Sequence, residues 1–233
     1  QVHGNVSLNA SYFERVLGEA LQEESGVVFL HSHPGQGWQT MSRDDVRAER
    51  RMAPAVLGAT GLELVGMTVA AGDGVWSGRF WRRTGPRRYR AVWAESVRVV
   101  GEHLNSHFCD HLLKRPGHQP MLVRTVSAWG AEAQAKLARL KVGVVGLGSV
   151  GSIVAEALAR TGVRWVQLLD YQKLEEANLD RTLHAHQRDA TMGRRKVDVA
   201  AGAIRRSAAT EGFKVGAGPW SVCEIEGYRR ALD

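Results

Sequence analysis

Two groups of residues in this chain have the types and spacing to do chemistry. The first reads His31-Ser32-His33-Pro34 and, a short way on, Ser42-Arg43-Asp44-Asp45. Val27 to Leu30 reads as a buried strand running into His31, and side chains two apart on a strand share a face. His31 and His33 can therefore grip one metal ion, and a carboxylate from a following helix can complete the set. Two imidazoles and one carboxylate, with a fourth position open, form the arrangement of a catalytic zinc. Such a metal lowers the pKa of bound water towards neutrality and makes it a usable nucleophile.

The second group runs from Lys141 to Lys196. Lys141-Val142-Gly143-Val144-Val145 reads as a strand feeding the turn Gly146-Leu147-Gly148-Ser149-Val150-Gly151 and then a helix. Gly146 makes the turn, Gly148 lets a phosphate approach the backbone, and Gly151 allows close helix packing. The helix N-terminus then faces the phosphates. Trp165 to Leu169 is a second strand ending in Asp170, where an acid can hold a ribose hydroxyl pair. Taken alone, this pattern suits an NAD enzyme as well as an ATP enzyme.

Wider motifs bring two family resemblances. His31-x-His33-Pro34 with Ser42-x-x-Asp45 resembles the signature of the JAMM (MPN+) zinc isopeptidases. That resemblance implies zinc held by His31, His33 and an Asp, with Ser42 steadying the tetrahedral intermediate. The gap from Pro34 to Met41 is one residue longer than the family's usual spacing. Keeping the Ser-x-x-Asp pair makes Asp45 the ligand. Keeping the His-to-Asp distance makes it Asp44, with Met41 in place of Ser. We prefer Ser42 with Asp45, because Met cannot donate a hydrogen bond to an oxyanion. The family's general base is an upstream Glu. Glu14, Glu19, Glu23 and Glu24 read as surface charges on or just after a helix, so the base is expected before Gln1.

Asn178-Leu179-Asp180-Arg181 and Gly193-Arg194-Arg195-Lys196 resemble the ThiF/MoeB/HesA family of ubiquitin-like activating enzymes. The resemblance implies that Asn178, Arg181 and Lys196 surround the phosphates of ATP, with magnesium. Attack of a carboxylate on the α-phosphate develops charge that such cations neutralise. Arg124 stands in the place of the family's arginine that reaches the partner protomer's nucleotide, which implies a homodimer. Gln172 stands where relatives often carry a second acid. The family's magnesium-associated Asp, its CxxC zinc pairs and any thioester cysteine are expected beyond the chain's end.

The elements that must position these groups are legible in outline. Ser7 to Glu23 has helical spacing, with Ser7 or Asn9 as its cap. Ser42 to Met52 reads as a helix, with Asp44 and Asp45 suiting its dipole. Leu62 to Ala70 and Val75 to Trp81 form a hairpin about Ala71-Gly72-Asp73-Gly74, and Tyr89 to Val100 reads as one more strand. Residues 102–119 lose periodicity and read as a linker. Ala131 to Leu140 is helical, and Cys223 reads as a helix residue. The strand after the last helix is expected to begin near Leu232-Asp233. The fold expected is α/β: a JAMM (cytidine-deaminase-like) domain over 1–101, then a Rossmann-like βαβ ThiF domain over 120–233.

Composition bounds the rest. The chain has 233 residues, 44% of them hydrophobic, enough for two modest domains with cores. No apolar run suits a membrane span, and no leader pattern opens the chain. Cys109 and Cys223 alone make no disulfide framework, which fits a reducing cytoplasm. The formal charge of +7 comes mostly from scattered arginines with no aromatic-interleaved stripe, so nucleic acid is not the favoured partner. His107-x-Cys109-x-His111 offers metal-binding types without a fourth ligand. His184-x-His186 reads as part of the nucleotide-site loop. Trp76, Trp81 and Trp93 read as core or pocket wall, and Trp38, inside the metal loop, is placed to contact a substrate tail. The chain opens on Gln1, so we read it as a piece of a longer protein. Its expected function is adenylation of the C-terminus of a ubiquitin-like or sulfur-carrier protein, coupled to zinc-dependent processing. The alternatives are a sulfur-carrier activator for cofactor synthesis and a nucleotide-binding scaffold with an inactive hydrolase half.

Overall fold

Asn9 starts the first helix: its side chain accepts from the backbone N–H of Ser11, replacing a partner the first turn lacks. Helix α1 (Ala10–Gln22) lays Phe13, Val16 and Leu17 against a core that includes Ala20, Val56, Leu64 and Trp81. The other expected cap, Ser7, lies outside the residues described in this computed structural model, which are 9–117 and 119–232. The chain divides into two units, 1–114 and 115–233.

In the first unit, β1 (Val28–His33) runs parallel to β2 (Leu64–Ala70), and α2 (Arg43–Thr60) makes the crossover. Then β3 (Trp76–Gly85) and β4 (Arg88–Trp93) add antiparallel, giving the order β1-β2-β3-β4. Strand β1 is at the sheet's edge and is half-buried rather than buried as expected. Val28 and Leu30 are 53% and 49% exposed, while Phe29, His31 and His33 share the inner face.

Three further expectations need correction here. Helix α2 does not stop at Met52 but continues through Pro54. Proline removes one helical hydrogen bond, yet Ala53 and Val56 are fully buried, and their packing carries the helix past it. Tyr89 to Val100 is two strands: the Ala94 N–H makes a last bond to β3, at Gly78 O, and the chain bends away at Glu95. The expected linker contains a strand: β5 (Ser96–Val100) pairs antiparallel with β6 (Leu104–Phe108), Val97 opposite His107. Leu-Asn-Ser-His-Phe has too little alternation to announce this.

In the second unit a 3-10 turn (Pro120–Leu122) leads into α3 (Val123–Trp129) and α4 (Ala131–Leu137). Next come β7 (Lys141–Val145), α5 (Ser149–Arg160), β8 (Trp165–Leu169), a 3-10 turn (Glu176–Asn178), α6 (Gln187–Thr191) and α7 (Lys196–Ser207). The last elements are β9 (Lys214–Gly218) and α8 (Ile225–Leu232). The three strands are parallel in the order β7-β8-β9, as βαβ connections require. Helices α5 and α7 bury Ala155, Ala159, Val197, Ala201 and Ile204 against Val144, Val166 and Leu168. The third strand, Lys214–Gly218, precedes α8 and was not identified from the sequence. Its glycines hide it, because they have low strand propensity. Cys223 sits in an exposed turn before α8, not in a helix. Among the described residues no helix is long and apolar enough to cross a membrane.

Candidate functional sites

In the first unit the capping box at the start of α2 decides where the carboxylates point. Ser42 Oγ accepts from the Asp45 N–H at 3.1 Å, and the Ser42 N–H donates to Asp45 Oδ2 at 2.8 Å. This turns Asp45 back over the N-terminus and towards β1. Its oxygens lie 3.2 Å from His31 Nε2 and 3.1 Å from His33 Nε2, and the two Nε2 atoms are 3.0 Å apart. Asp44 points away, 68% exposed and paired with Arg47 at 3.0 Å.

These three donors fit a zinc ion. Bonds of about 2.0–2.1 Å in a tetrahedral site put neighbouring ligand atoms roughly 3.3 Å apart. Each Nε2 carries at most one proton, so with an ionised carboxylate the three mutual contacts cannot all be hydrogen bonds. His31 Nδ1 is buried without a hydrogen-bond partner. Burial by itself would raise the Asp45 carboxyl. The side-chain and backbone hydrogen bonds to Ser42 and the charge and contact of His31 outweigh it, and leave the pKa below the usual 3.8. Asp45 is thus an anion, the form a metal ligand requires. Among the described residues this is the only group of three such side chains close enough to share an ion. His107, Cys109 and His111 do not gather.

Ser42 uses one lone pair on the cap and keeps its O–H, so donation to an oxyanion remains open to it. The loop between His33 and Ser42 is tied to the β2–β3 hairpin: Gly37 N–H donates to Asp73 Oδ2 at 2.7 Å, and Gln39 N–H to Ser77 Oγ at 2.7 Å. Trp38 in that loop meets Trp93 edge-on, ring centroids 6.3 Å apart. Trp81 is buried.

The residue the sequence reading missed here is Glu49. It is fully buried, pairs with Arg79 at 2.8 Å and accepts from the Trp81 indole. It follows Asp45 by one helical turn, so helical spacing placed it on the same face. Gly66 on β2 lies under it: a Cβ there would stand 2.5 Å from Glu49 Oε1. The pair locks α2, and with it Asp45, to the sheet that carries the histidines.

In the second unit Gly146 takes a left-handed φ of 82° and closes the turn by donating its N–H to Leu169 O at 2.8 Å. Gly148 caps α5. A Cβ on Gly151 would stand 1.7 Å from the Gly146 carbonyl oxygen, so only glycine allows the helix to start this close to the turn. Asp170, buried at the end of β8, binds both sides of the crevice. Its Oδ2 accepts from Leu147 N at 2.7 Å and its Oδ1 from Gln172 N at 2.8 Å. Each oxygen keeps a lone pair for a ribose hydroxyl.

Lys196 is 7% exposed, and its ammonium donates to the Gln172 side-chain carbonyl at 2.7 Å. The Lys196 backbone N–H also meets Gln172 O at 3.1 Å. Gln172 is therefore the contact the sequence reading did not foresee; its place two residues after Asp170 was the only signal. Asn178 accepts from Glu175 N at 3.3 Å within its own turn. Arg181 is exposed, its guanidinium on Ala177 O at 2.6 Å and Asp180 Oδ1 at 2.8 Å. Arg124 stands exposed in the first turn of α3. The glycine turn, Asp170, Gln172 and Lys196 are thus linked by hydrogen bonds at the carboxyl ends of β7 and β8. Asn178 and Arg181 follow on the loop beyond, held by contacts of their own.

Residues 122–211 match the ThiF family. This stretch is a ThiF family domain. Over 76 residues the chain is 42% identical to the tRNA threonylcarbamoyladenosine dehydratase of Bacillus subtilis (strain 168), covering 33% of this chain and 29% of that protein. It is also 42% identical over 76 residues to the molybdopterin-synthase adenylyltransferase of Salmonella typhimurium, covering 32% and 29%. The crystal structure of the E. coli tRNA N6-threonylcarbamoyladenosine dehydratase TcdA in complex with AMP is 29% identical, with a TM-score of 0.41, over 52% of this chain and 46% of that one. The chain spans less than a third of the length of the first two relatives. The ThiF match lies wholly in the second unit.

Proposed function

We propose that the ThiF domain binds ATP with magnesium and adenylates a carboxylate, that of the C-terminus of a ubiquitin-like or sulfur-carrier protein. The observation that carries this reading is Lys196: a buried residue whose ammonium has, among the described residues, one hydrogen-bond acceptor, a neutral amide. Burying an ammionium-type charge without a counter-charge is costly, and a phosphate chain over the start of α5 provides one. The relative named as a molybdopterin-synthase adenylyltransferase carries this chemistry in its name. Asp170 selects a free ribose. Gly148 and Gly151 bring the phosphates to the helix start. Lys196 and Arg181 neutralise charge that grows as the acceptor carboxylate attacks the α-phosphate and pyrophosphate leaves. Arg124 serves the nucleotide of a partner protomer. No residue of this chain is assigned to magnesium.

The first unit, on the same proposal, is a zinc-dependent isopeptidase of the JAMM type, with His31, His33 and Asp45 as ligands. Zinc, when bound, supplies Lewis acidity and a nucleophile at neutral pH. Ser42 donates to the oxyanion, and the Glu49–Arg79 pair holds Asp45's helix on the sheet.

The test is ATP–pyrophosphate exchange with candidate carriers, beside ATP and NAD titrations. Exchange that needs the carrier and collapses in Lys196→Ala supports the reading. Tighter binding of NAD than of ATP would end it. A second acceptor, a carboxylate carried on tRNA, is favoured by the charge distribution: the second unit has 18 Lys and Arg against 12 Asp and Glu, the first 13 against 12. A relative's name places its substrate on tRNA. Exchange stimulated by tRNA and not by a protein carrier would select that acceptor.

A further inference from the structure

The loop that carries Arg181 hangs from α5 by polar contacts. Ser152 and Glu156 lie one turn apart on the same face of that helix and are 2% and 8% exposed. Ser152 Oγ accepts from Leu183 N–H at 3.1 Å. Glu156 Oε2 meets His184 Nε2 at 3.1 Å and accepts from Ser207 Oγ at 2.7 Å. Its other oxygen takes the Nε–H of Arg160. One buried carboxylate thus ties α5, the loop and the end of α7 together. His184 is held with φ at 67°, a conformation a non-glycine residue keeps only when its surroundings enforce it.

Beside this cluster lies an open cavity of about 560 Å³, lined by Glu156, Arg160, His184, Arg206 and Ser207 among others. The loop is therefore not seated there by close apolar packing. Leu183 itself is 37% exposed. Among the described residues the guanidinium of Arg181, two residues before Leu183, bonds only to Ala177 O of the preceding 3-10 turn and to Asp180. Upstream, the backbone at 181 and 182 is held by Asn178 O, and the contacts that tie it to α5 are those at 183 and 184. The helix that supplies the fastening is the one that starts at Ser149 after the glycine turn, where the proposed function puts the phosphates.

We propose that Glu156 is a positioning residue: through His184 and Ser207 it holds the 179–186 loop so that Arg181 can reach the triphosphate. This rests on the reading that the crevice binds ATP. Glu156 touches no reacting atom. It acts by fixing Arg181 and the helix start in one frame.

The test uses the whole protein and four variants: Glu156→Ala, Glu156→Gln, Arg181→Ala, and Glu156→Ala with Arg181→Ala. Amide hydrogen exchange is followed over 179–186 and over β7, β8 and β9, with no ligand present. MgATP and AMP affinities are measured by titration. Glu156→Ala should speed exchange of the loop about tenfold or more and leave the strands unchanged, as local opening without global loss does. Its MgATP affinity should fall several-fold, about as far as that of Arg181→Ala, with AMP affinity unchanged and no further loss in the double variant, the mark of coupled sites. Glu156→Gln keeps an acceptor for Ser207 and should fall between; it decides the matter if the alanine variant does not fold. Unchanged loop exchange in both Glu156 variants, or losses from Glu156 and Arg181 that simply add, would overturn the inference. Failure of the wild type to bind MgATP would instead overturn the adenylation reading and this inference with it.

Discussion

At the scale of single residues, the two aspartates at the start of α2 show how one peptide unit separates a carboxylate that faces two histidines from a surface charge. Asp45 is bent onto the histidines by the cap with Ser42, and Asp44 faces Arg47. Elemental analysis of the purified protein should find about one zinc per chain. His31→Ala with His33→Ala should remove it, and so should Asp45→Asn. Asp44→Asn should retain it; loss there with retention in Asp45→Asn would reverse the assignment. The glycine turn gives an equally local prediction. Gly151→Ala forces a methyl into the Gly146 carbonyl, so nucleotide titration of this variant should show no binding, with the turn displaced. Gly143→Ala, whose Cβ meets nothing within 4 Å, should bind as the wild type does.

At the scale of elements, buried carboxylates fasten helices in both units. Glu49 pins α2 to β3 through Arg79 and Trp81. Removing one partner of a buried pair costs roughly 3–5 kcal/mol, so Glu49→Ala should lower the first unit's denaturation midpoint sharply. Gly66→Ala should do the same from the other side, since its methyl would meet Glu49. In the second unit, burial would raise the Glu156 carboxyl. The hydrogen bonds of Ser207 and Arg160, the Arg160 charge and the His184 contact outweigh it, and its pKa lies below the usual 4.5. A carboxyl whose folded pKa is depressed stabilises the fold above its unfolded value, and that contribution is lost as pH falls through the folded value. The stability gap between wild type and Glu156→Gln should therefore be full at neutral pH and close as pH drops below about 4.5. Urea titrations at pH 7 and at stepwise lower pH measure this; a gap that does not narrow would contradict the ionised Glu156.

At the scale of the whole molecule, two units with separate cores need not unfold as one. Calorimetry should show two transitions, and a ligand stabilises only the unit that binds it. MgATP should raise the transition of residues 115–233 alone, and zinc removal should lower that of residues 1–114 alone. A single transition moved equally by both would refute independent folding.

Much of this protein was legible without coordinates because its chemistry is local in sequence. His31 and His33 share a strand face by parity, Asp45 is held by a cap three residues long, and the glycines from 146 to 151 pack against one another. Strand, turn and helix at Lys141–Arg160 follow from short-range rules of the same kind. What depended on distant segments was not legible. Leu104–Phe108 becomes a strand only because Ser96–Val100 lies opposite, and Lys214–Gly218 only because β8 offers a parallel edge. Pro54 ends no helix because the buried face of α2 outweighs one lost hydrogen bond. Glu49 and Glu156 look like surface residues in the sequence. Their partners Arg79 and His184 are each more than 20 residues away, and a side chain's burial is decided by what the fold brings over it; Gln172 stays exposed, and its contact with Lys196 is likewise made only by the fold. Which of Asp44 and Asp45 faces the histidines was likewise not legible from spacing; the capping box with Ser42 turns Asp45 towards them.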